Sequence, residues 1–276
     1  MLVALDVDGT LLRSDNTVSS RTADAIRAAS GAGWQVILAT GKPPWAIRDL
    51  VGRLSLAGPH IVANGSATWC PPDTLDVVGR IDPGDVRAAL AFGAQAQIPR
   101  ATSGPSGVFC EPGWAPRAVA DALAEVGEGP PTLVADALET EPDAWKVILI
   151  AREGSSHPEP PCLRSARWVR THRNFLEALP RWATKGSTLQ GLCQRLGFER
   201  DQVVAFGDGE NDVEMLAWAG HGVAMANAPT AVRASAATTT ATNDRDGVAI
   251  EIERLLKRRG PVPSARPAPY HPGRRG

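Results

Sequence analysis

Leu2-Val3-Ala4-Leu5-Asp6-Val7-Asp8-Gly9-Thr10 is the stretch on which the fold turns. Four apolar residues run without polar alternation into acids and a glycine. Such a run, closed by a turn residue, reads as a buried strand of a mostly parallel sheet. Three other runs end the same way: Val36-Ile37-Leu38-Ala39 in Thr40-Gly41-Lys42-Pro43, Ile61-Val62-Ala63 in Asn64-Gly65, and Val203-Val204-Ala205-Phe206 in Gly207-Asp208-Gly209. Helical periodicity lies over Thr22 to Ser30, Trp45 to Leu54 and Gly186 to Leu196, the last closed by Gly197. Alternating strands and helices predict an α/β fold. Ligands of such sheets bind beyond the carboxyl ends of the strands, so all four polar ends are expected on one rim.

The remaining sequence narrows the class. Of 276 residues, 29 are Lys or Arg and 30 Asp or Glu, giving a net charge of −1. That balance argues against a nucleic-acid binder, which needs a basic face. Cys70, Cys110, Cys162 and Cys193 lie far apart with no C-x-x-C pair, so neither a zinc site nor a disulfide framework is indicated. A reducing compartment suits them. No apolar run approaches the roughly 20 residues of a membrane span, and Asp6 and Asp8 interrupt the apolar N-terminus before a signal-peptide core could form. These features predict a cytoplasmic globular protein without nucleic-acid or membrane partners; oligomeric state stays open.

From about Asp82 to Leu179 the chain becomes rich in Pro and Gly, as in Ser103-Gly104-Pro105-Ser106-Gly107. It still carries helical patterns over Pro83 to Phe92 and Ala115 to Glu125, and strands at Trp145 to Ala151 and Arg167 to Arg170. The expected organisation is a core of residues 1–81 and 180–256, a smaller α/β unit over 82–179, and a basic, Pro-rich, disordered tail over 257–276.

Asp-x-Asp alone is a weak signal. A turn beginning near Asp8 can bring the second carboxylate back beside the first. Gly207-Asp208-Gly209-Glu210-Asn211-Asp212 brings more acids to the same rim. Acids gathered at one point are costly without a cation, and oxygen ligands select a hard ion, with Mg²⁺ the ordinary choice beside phosphate. Lys185 is the opposite oddity: a cation at a helix start, where anions are preferred. It makes sense if an anion sits beside it.

Taken in order, Asp6-Val7-Asp8-Gly9-Thr10, Ala39-Thr40-Gly41-Lys42, Lys185-Gly186 and Gly207-Asp208-Gly209-Glu210-Asn211-Asp212 resemble the motifs of the haloacid dehalogenase superfamily of aspartate-nucleophile phosphatases. Asn64-Gly65, Met225-Ala226-Asn227-Ala228 and Asn243-Asp244-Arg245-Asp246-Gly247-Val248-Ala249 resemble its Cof-like branch. The resemblance covers roughly residues 1 to 256. It implies a Rossmann-like parallel-sheet core with an inserted α/β cap, and Mg²⁺-dependent hydrolysis of a small phosphorylated metabolite such as a sugar phosphate or phosphorylated cofactor.

Carried over residue by residue, the resemblance makes Asp6 the nucleophile, forming an aspartyl-phosphate, and Asp8 the general acid and base. Mg²⁺ would be held by the Asp6 carboxylate, the Asp8 backbone carbonyl and Asp208, with Asp212 ordering that shell or Lys185. Thr40, Gly41, Lys185 and Asn211 would contact the phosphate; Asn64 either borders the pocket or caps a turn. The chain departs from the family at Lys42, where Arg is common. Arg100, Arg173 and Asn174 are candidate specificity residues. The Trp residues, among them Trp45, Trp69, Trp114, Trp145, Trp168 and Trp182, read as packing or as stacking surfaces for a ring-bearing substrate. A phosphomutase of the same superfamily and a non-catalytic phosphoaspartate or phosphate-binding module are the alternatives.

Overall fold

The computed structural model describes residues 1–112, 116–125, 128–151, 154, 158–172 and 174–259. Among these the chain forms two compact units.

The first unit takes Met1–Gly41, Ile47–Asp76 and the described residues from 184 on. Its centre is a five-stranded sheet in the order Thr238–Thr239, His221–Ala224, Val203–Gly207, Leu2–Leu5, Gln35–Leu38, with every pairing parallel. Leu2 to Leu5 are all fully buried. Their unbroken apolar run follows from a strand with neighbours on both edges and cover on both faces. Each buried Leu contributes about 2 kcal/mol of apolar burial. On one face Leu2, Ala4 and Ile37 pack with Leu189, Leu192 and Met215. The flanking helices, Ser20–Gly31, Pro44–Leu54 and Lys185–Leu196, match the predicted spans to within two residues at each end. Ser19 accepts from the Thr22 N–H to open Ser20–Gly31, and Gly197, at φ +73°, closes Lys185–Leu196.

One expected strand belongs elsewhere. His60–Val62 forms a three-stranded sheet with Ala67–Cys70 and Thr74–Val77, running antiparallel to Ala67–Cys70. A single parallel bridge, Ala39 to Ile61, ties it to the Gln35–Leu38 strand end. The cause is local: Ala63 and Asn64 both take positive φ, at 49° and 57°. The chain therefore doubles back at once and pairs with its own continuation.

The second unit takes Lys42–Ala46 and the described residues of 77–183. Its mixed sheet runs Ala166–His172, Phe175–Pro180, Lys146–Ile150, Arg100–Gly104, Gly107–Cys110, Thr132–Leu133. Val86, Ala89 and Leu90 of helix Pro83–Gln95 pack with Val147 and Leu149 of the sheet. Val119 and Leu123 of helix Pro116–Glu125 pack with Ala101, Ile148 and Phe175, joined by Trp45.

The Pro- and Gly-rich stretch around residue 105 has a regular structure. It is a hairpin, Gly104 opposite Gly107, with Pro105-Ser106 at the turn. Buried Glu141 accepts the Ser106 N–H at 2.9 Å, and a Cβ on Gly104 would collide with the Glu141 side chain. The last helix runs Gly247–Arg259 and so includes residues 257–259 of the stretch read as tail; the rest of that stretch, 260–276, lies outside the described residues. All four cysteines are free. Among the described residues no helix is long and apolar enough to cross a membrane.

Candidate active site

Strand Leu2–Leu5 delivers Asp6 to its carboxyl end in extended backbone, φ −64° and ψ 159°. The Asp6 N–H donates to the Phe206 carbonyl of the neighbouring strand at 3.0 Å. The chain then turns through Gly9 at φ +74°, and the Leu12 N–H closes on the Val7 carbonyl at 2.8 Å. Glycine is required at position 9 twice over: for its left-handed backbone, and because a Cβ there would overlap the Asp208 carboxylate. Asp6 is buried and Asp8 exposed.

Lys185 is the first residue of helix Lys185–Leu196, whose start is set by Thr184. The Thr184 hydroxyl accepts the Ser187 N–H, and the Ser187 hydroxyl accepts the Thr184 N–H. The lysine does not answer to the helix dipole. Its Nζ donates to Asp6 Oδ1 and to Asp212 Oδ1, both at 2.7 Å, with 1% of the side chain exposed. Burial alone would pull the ammonium's pKa down; Asp212 and Asp6 more than reverse it. The anion that the sequence asked for beside this cation is thus a pair of aspartates.

Asp212 uses its other oxygen to fold its own loop. Oδ2 accepts the N–H groups of Asp208 and Gly209, each at 3.0 Å. Asp208 in turn accepts from the Thr10 hydroxyl at 3.0 Å and from Asn227 Nδ2 at 3.2 Å. One carboxylate oxygen from each of Asp6, Asp208 and Asp212 lies within 4.8 Å of the others. Burial is the largest cause raising the Asp6 pKa, followed by Asp212 and Asp208 against the opposition of Lys185. Burial, then Asp212, pushes the Asp208 carboxyl up to about 6. Three carboxylates against one ammonium, with oxygen as the only donor element in the cluster, fit a hard divalent cation such as Mg²⁺.

A second strand end adjoins through Asn64. Thr40 is fully buried; its N–H donates to the Ile61 carbonyl at 2.9 Å, and its carbonyl accepts the Asn64 N–H at 3.0 Å. Asn64 Oδ1 accepts from Asn211 Nδ2 at 2.8 Å. A Cβ on Gly41 would press on the Asn64 amide at about 3.0 Å. Asn64 therefore links the Thr40-Gly41 end to Asn211 and does more than cap a turn. Asp6, Lys185, Asp208 and Asp212 form one directly bonded or adjoining group, and Thr40, Gly41 and Asn211 meet around Asn64. Two contributors, Thr10 and Asn227, received no role from the sequence. Asn227 lies in the stretch Met225-Ala226-Asn227-Ala228 that resembles the family, but nothing local tells where its amide points.

Of the expected specificity residues in the second unit, Arg100 is buried and pairs with Glu111 at 3.1 Å. Asn174 is half-buried, and Arg173 lies outside the described residues. Lys146 is buried, hydrogen-bonded to Glu128 and 3.7 Å from Glu177. Burial raises the Glu128 pKa, opposed by Lys146 and also by Lys42. The Trp45 indole donates to the Glu128 carbonyl at 2.9 Å and stacks on Trp145, centroids 6.3 Å apart. Trp145 and Trp69 are buried, Trp168 donates to the Pro161 carbonyl, and Trp182 is exposed. Trp114 lies outside the described residues.

Known proteins resemble this chain over most of its length. The sequence profile described as haloacid dehalogenase-like hydrolase matches residues 3–252. A 5-amino-6-(5-phospho-D-ribitylamino)uracil phosphatase of Bacillus subtilis is 30% identical over 93% of this chain and 96% of its own. A pyridoxal phosphate phosphatase of Escherichia coli is 31% identical over 90% and 96%. The chain also matches a chloroplastic endoribonuclease of Arabidopsis thaliana at 31% identity, spanning only 45% of that protein's length. The crystal structure of a haloacid dehalogenase-like hydrolase from Bacteroides thetaiotaomicron superposes with a TM-score of 0.78 at 26% identity, covering 92% of this chain and 98% of the other.

Proposed function

The chain belongs to the haloacid dehalogenase-like hydrolase family as one of its phosphatases, and on that premise we propose that it hydrolyses a small phosphomonoester through a phosphoryl group carried on Asp6. The observation that carries this reading is the Lys185 ammonium held at 2.7 Å from both Asp6 and Asp212. The ammonium opposes the burial and the neighbouring carboxylates that raise the Asp6 pKa, and so favours the anionic form a nucleophile needs.

In the first half-reaction an Asp6 oxygen bonds to phosphorus, and the ester oxygen leaves with a proton from Asp8. In the second, Asp8 takes a proton from water as that water attacks the phosphorus, which frees phosphate and restores Asp6. An exposed Asp8 on the Gly9 turn suits a group that exchanges protons with an alcohol and with water. Thr40, Gly41, Asn211 and Lys185 would bind the phosphoryl oxygens. Asp6, the Asp8 carbonyl and Asp208 would hold Mg²⁺, which supplies charge neutralisation between an anionic nucleophile and an anionic ester.

Relatives at 30% and 31% identity are named for a ribitylaminouracil phosphate and for pyridoxal phosphate. Those names support a small phosphorylated metabolite as substrate class and do not select one. The test is Asp6→Asn: phosphate release from a panel of phosphorylated metabolites with Mg²⁺ should fall by about 10⁴-fold or more with the melting temperature held. Wild-type turnover in that variant would refute the mechanism.

A further inference from the structure

Asn227 is exposed, yet both ends of its amide are spoken for. Its Oδ1 accepts the Asn243 N–H at 3.1 Å. Its Nδ2 donates to the Gly9 carbonyl at 2.8 Å and to Asp208 Oδ2 at 3.2 Å. Asn243 is fixed in turn, with Nδ2 on the Leu12 carbonyl at 2.9 Å. The loop after Gly9 is held to the same segment by Arg13 on Asp246 at 2.7 Å and by the Ser14 N–H and hydroxyl on Asp244, each at 2.9 Å.

An amide has one acceptor end and one donor end. A backbone N–H can only donate, so Asn243 forces the oxygen of Asn227 toward itself and the NH₂ toward Gly9 and Asp208. No other orientation satisfies all three partners. Asp208 then has one oxygen on Thr10 and the other on Asn227, while the turn that presents Asp8 is pinned at the carbonyl of its neighbour, Gly9.

Resting on the function proposed above, we propose that Asn227 is a positioning residue. It locks the Gly9 turn to Asp208 and so sets the spacing between the groups assigned to hold the divalent ion, with Asn243 fixing its sense. This one side chain joins two positions 218 apart in sequence, Asn227 and Gly9.

Two substitutions test this. Asn227→Asp keeps the shape but turns the donor end into an acceptor facing a carbonyl and a carboxylate; Asn227→Ala removes both. The half-saturating Mg²⁺ concentration for stabilisation against heat is expected to rise about tenfold in each, and kcat to fall by a similar factor with KM for substrate little changed. The isosteric Asp variant should be affected at least as strongly as Ala. A role in packing alone would reverse that order, lower the melting temperature without moving the Mg²⁺ requirement, and overturn the proposal. Wild-type Mg²⁺ half-saturation in either folded variant would overturn it as well. Mg²⁺-dependent melting needs no turnover, so it decides Asn227 even if the wild type releases no phosphate, a result that would count against the proposed reaction instead.

Discussion

Each unit buries one lysine among carboxylates, and the two differ in balance. In the second unit Lys146 meets Glu128 and Glu177, and the charge of Lys42 also acts on Glu128. Two cations answer two anions. In the first unit Lys185 meets Asp6 and Asp212, and Asp208 adds a third carboxylate to the group. Burial is nearly complete for both lysines, so burial does not distinguish the two clusters. The excess of one sign does. A balanced cluster is complete in itself, whereas an unbalanced one asks for a further cation.

The largest break in this comparison is Lys185→Met. Phosphate release at saturating Mg²⁺ should fall by about 10²–10³-fold, the usual size for losing one donor to a transferring oxyanion. Residual activity near wild type would place Lys185 with the structural lysines. Lys146→Met should act on stability: with Glu128 and Glu177 stranded, the cost is about 3–5 kcal/mol by urea unfolding. Replacing the two glutamates by glutamine in the same chain should recover most of that loss. The matching neutral set in the first unit, Lys185→Met with Asp6→Asn and Asp212→Asn, should regain stability but never turnover.

A smaller effect comes from a third way of burying an ionisable group, which is to discard its charge. His60 is fully buried, accepts the Leu38 N–H at 3.1 Å on Nδ1, and is pulled down to about 4, chiefly by burial. Its folded pKa lies below the unfolded value, so the unfolded chain binds the proton more tightly. Its stabilising contribution is whole above about pH 6.5 and is lost as pH falls toward 4, at up to about 1.4 kcal/mol per pH unit. His60→Gln should flatten the stability profile over that window in denaturant titrations; an unchanged slope would locate the acid sensitivity in other groups.

How far all this was legible follows the range of each interaction. Leu2 to Leu5, the turn at Gly9 and the Gly197 stop could be read because their causes lie within a few residues. Lys185 was legible as an anomaly, since a cation at a helix start needs an explanation, although its partners sit 179 and 27 residues away. The transfer of His60–Val62 to another sheet was not legible. An apolar run says that a strand forms and is silent on which neighbour it pairs with. The hairpin at Pro105-Ser106 was hidden because Pro and Gly mark a turn and a loop alike, and the buried Glu141 that secures it is 35 residues on. The donor end of Asn227 was illegible for the same reason: its orientation is decided by Asn243 and spent on Gly9.

The five residues Lys42–Ala46 have a consequence for protein engineering. They belong to the second unit, anchored there by Trp45 on the Glu128 carbonyl and against Trp145, although 30 residues of the first unit, Ile47–Asp76, separate them from the rest of it. The insert is therefore no cassette. A chimera that exchanged residues 77–183 for a relative's segment would leave an indole behind without its carbonyl and its stacking partner. It would also import a sheet lacking the ring that completes one face. Recombination at this locus has to move two pieces of coding sequence together, so the short segment Lys42–Ala46 that carries Trp45 and the distant insert are heritable only as a pair.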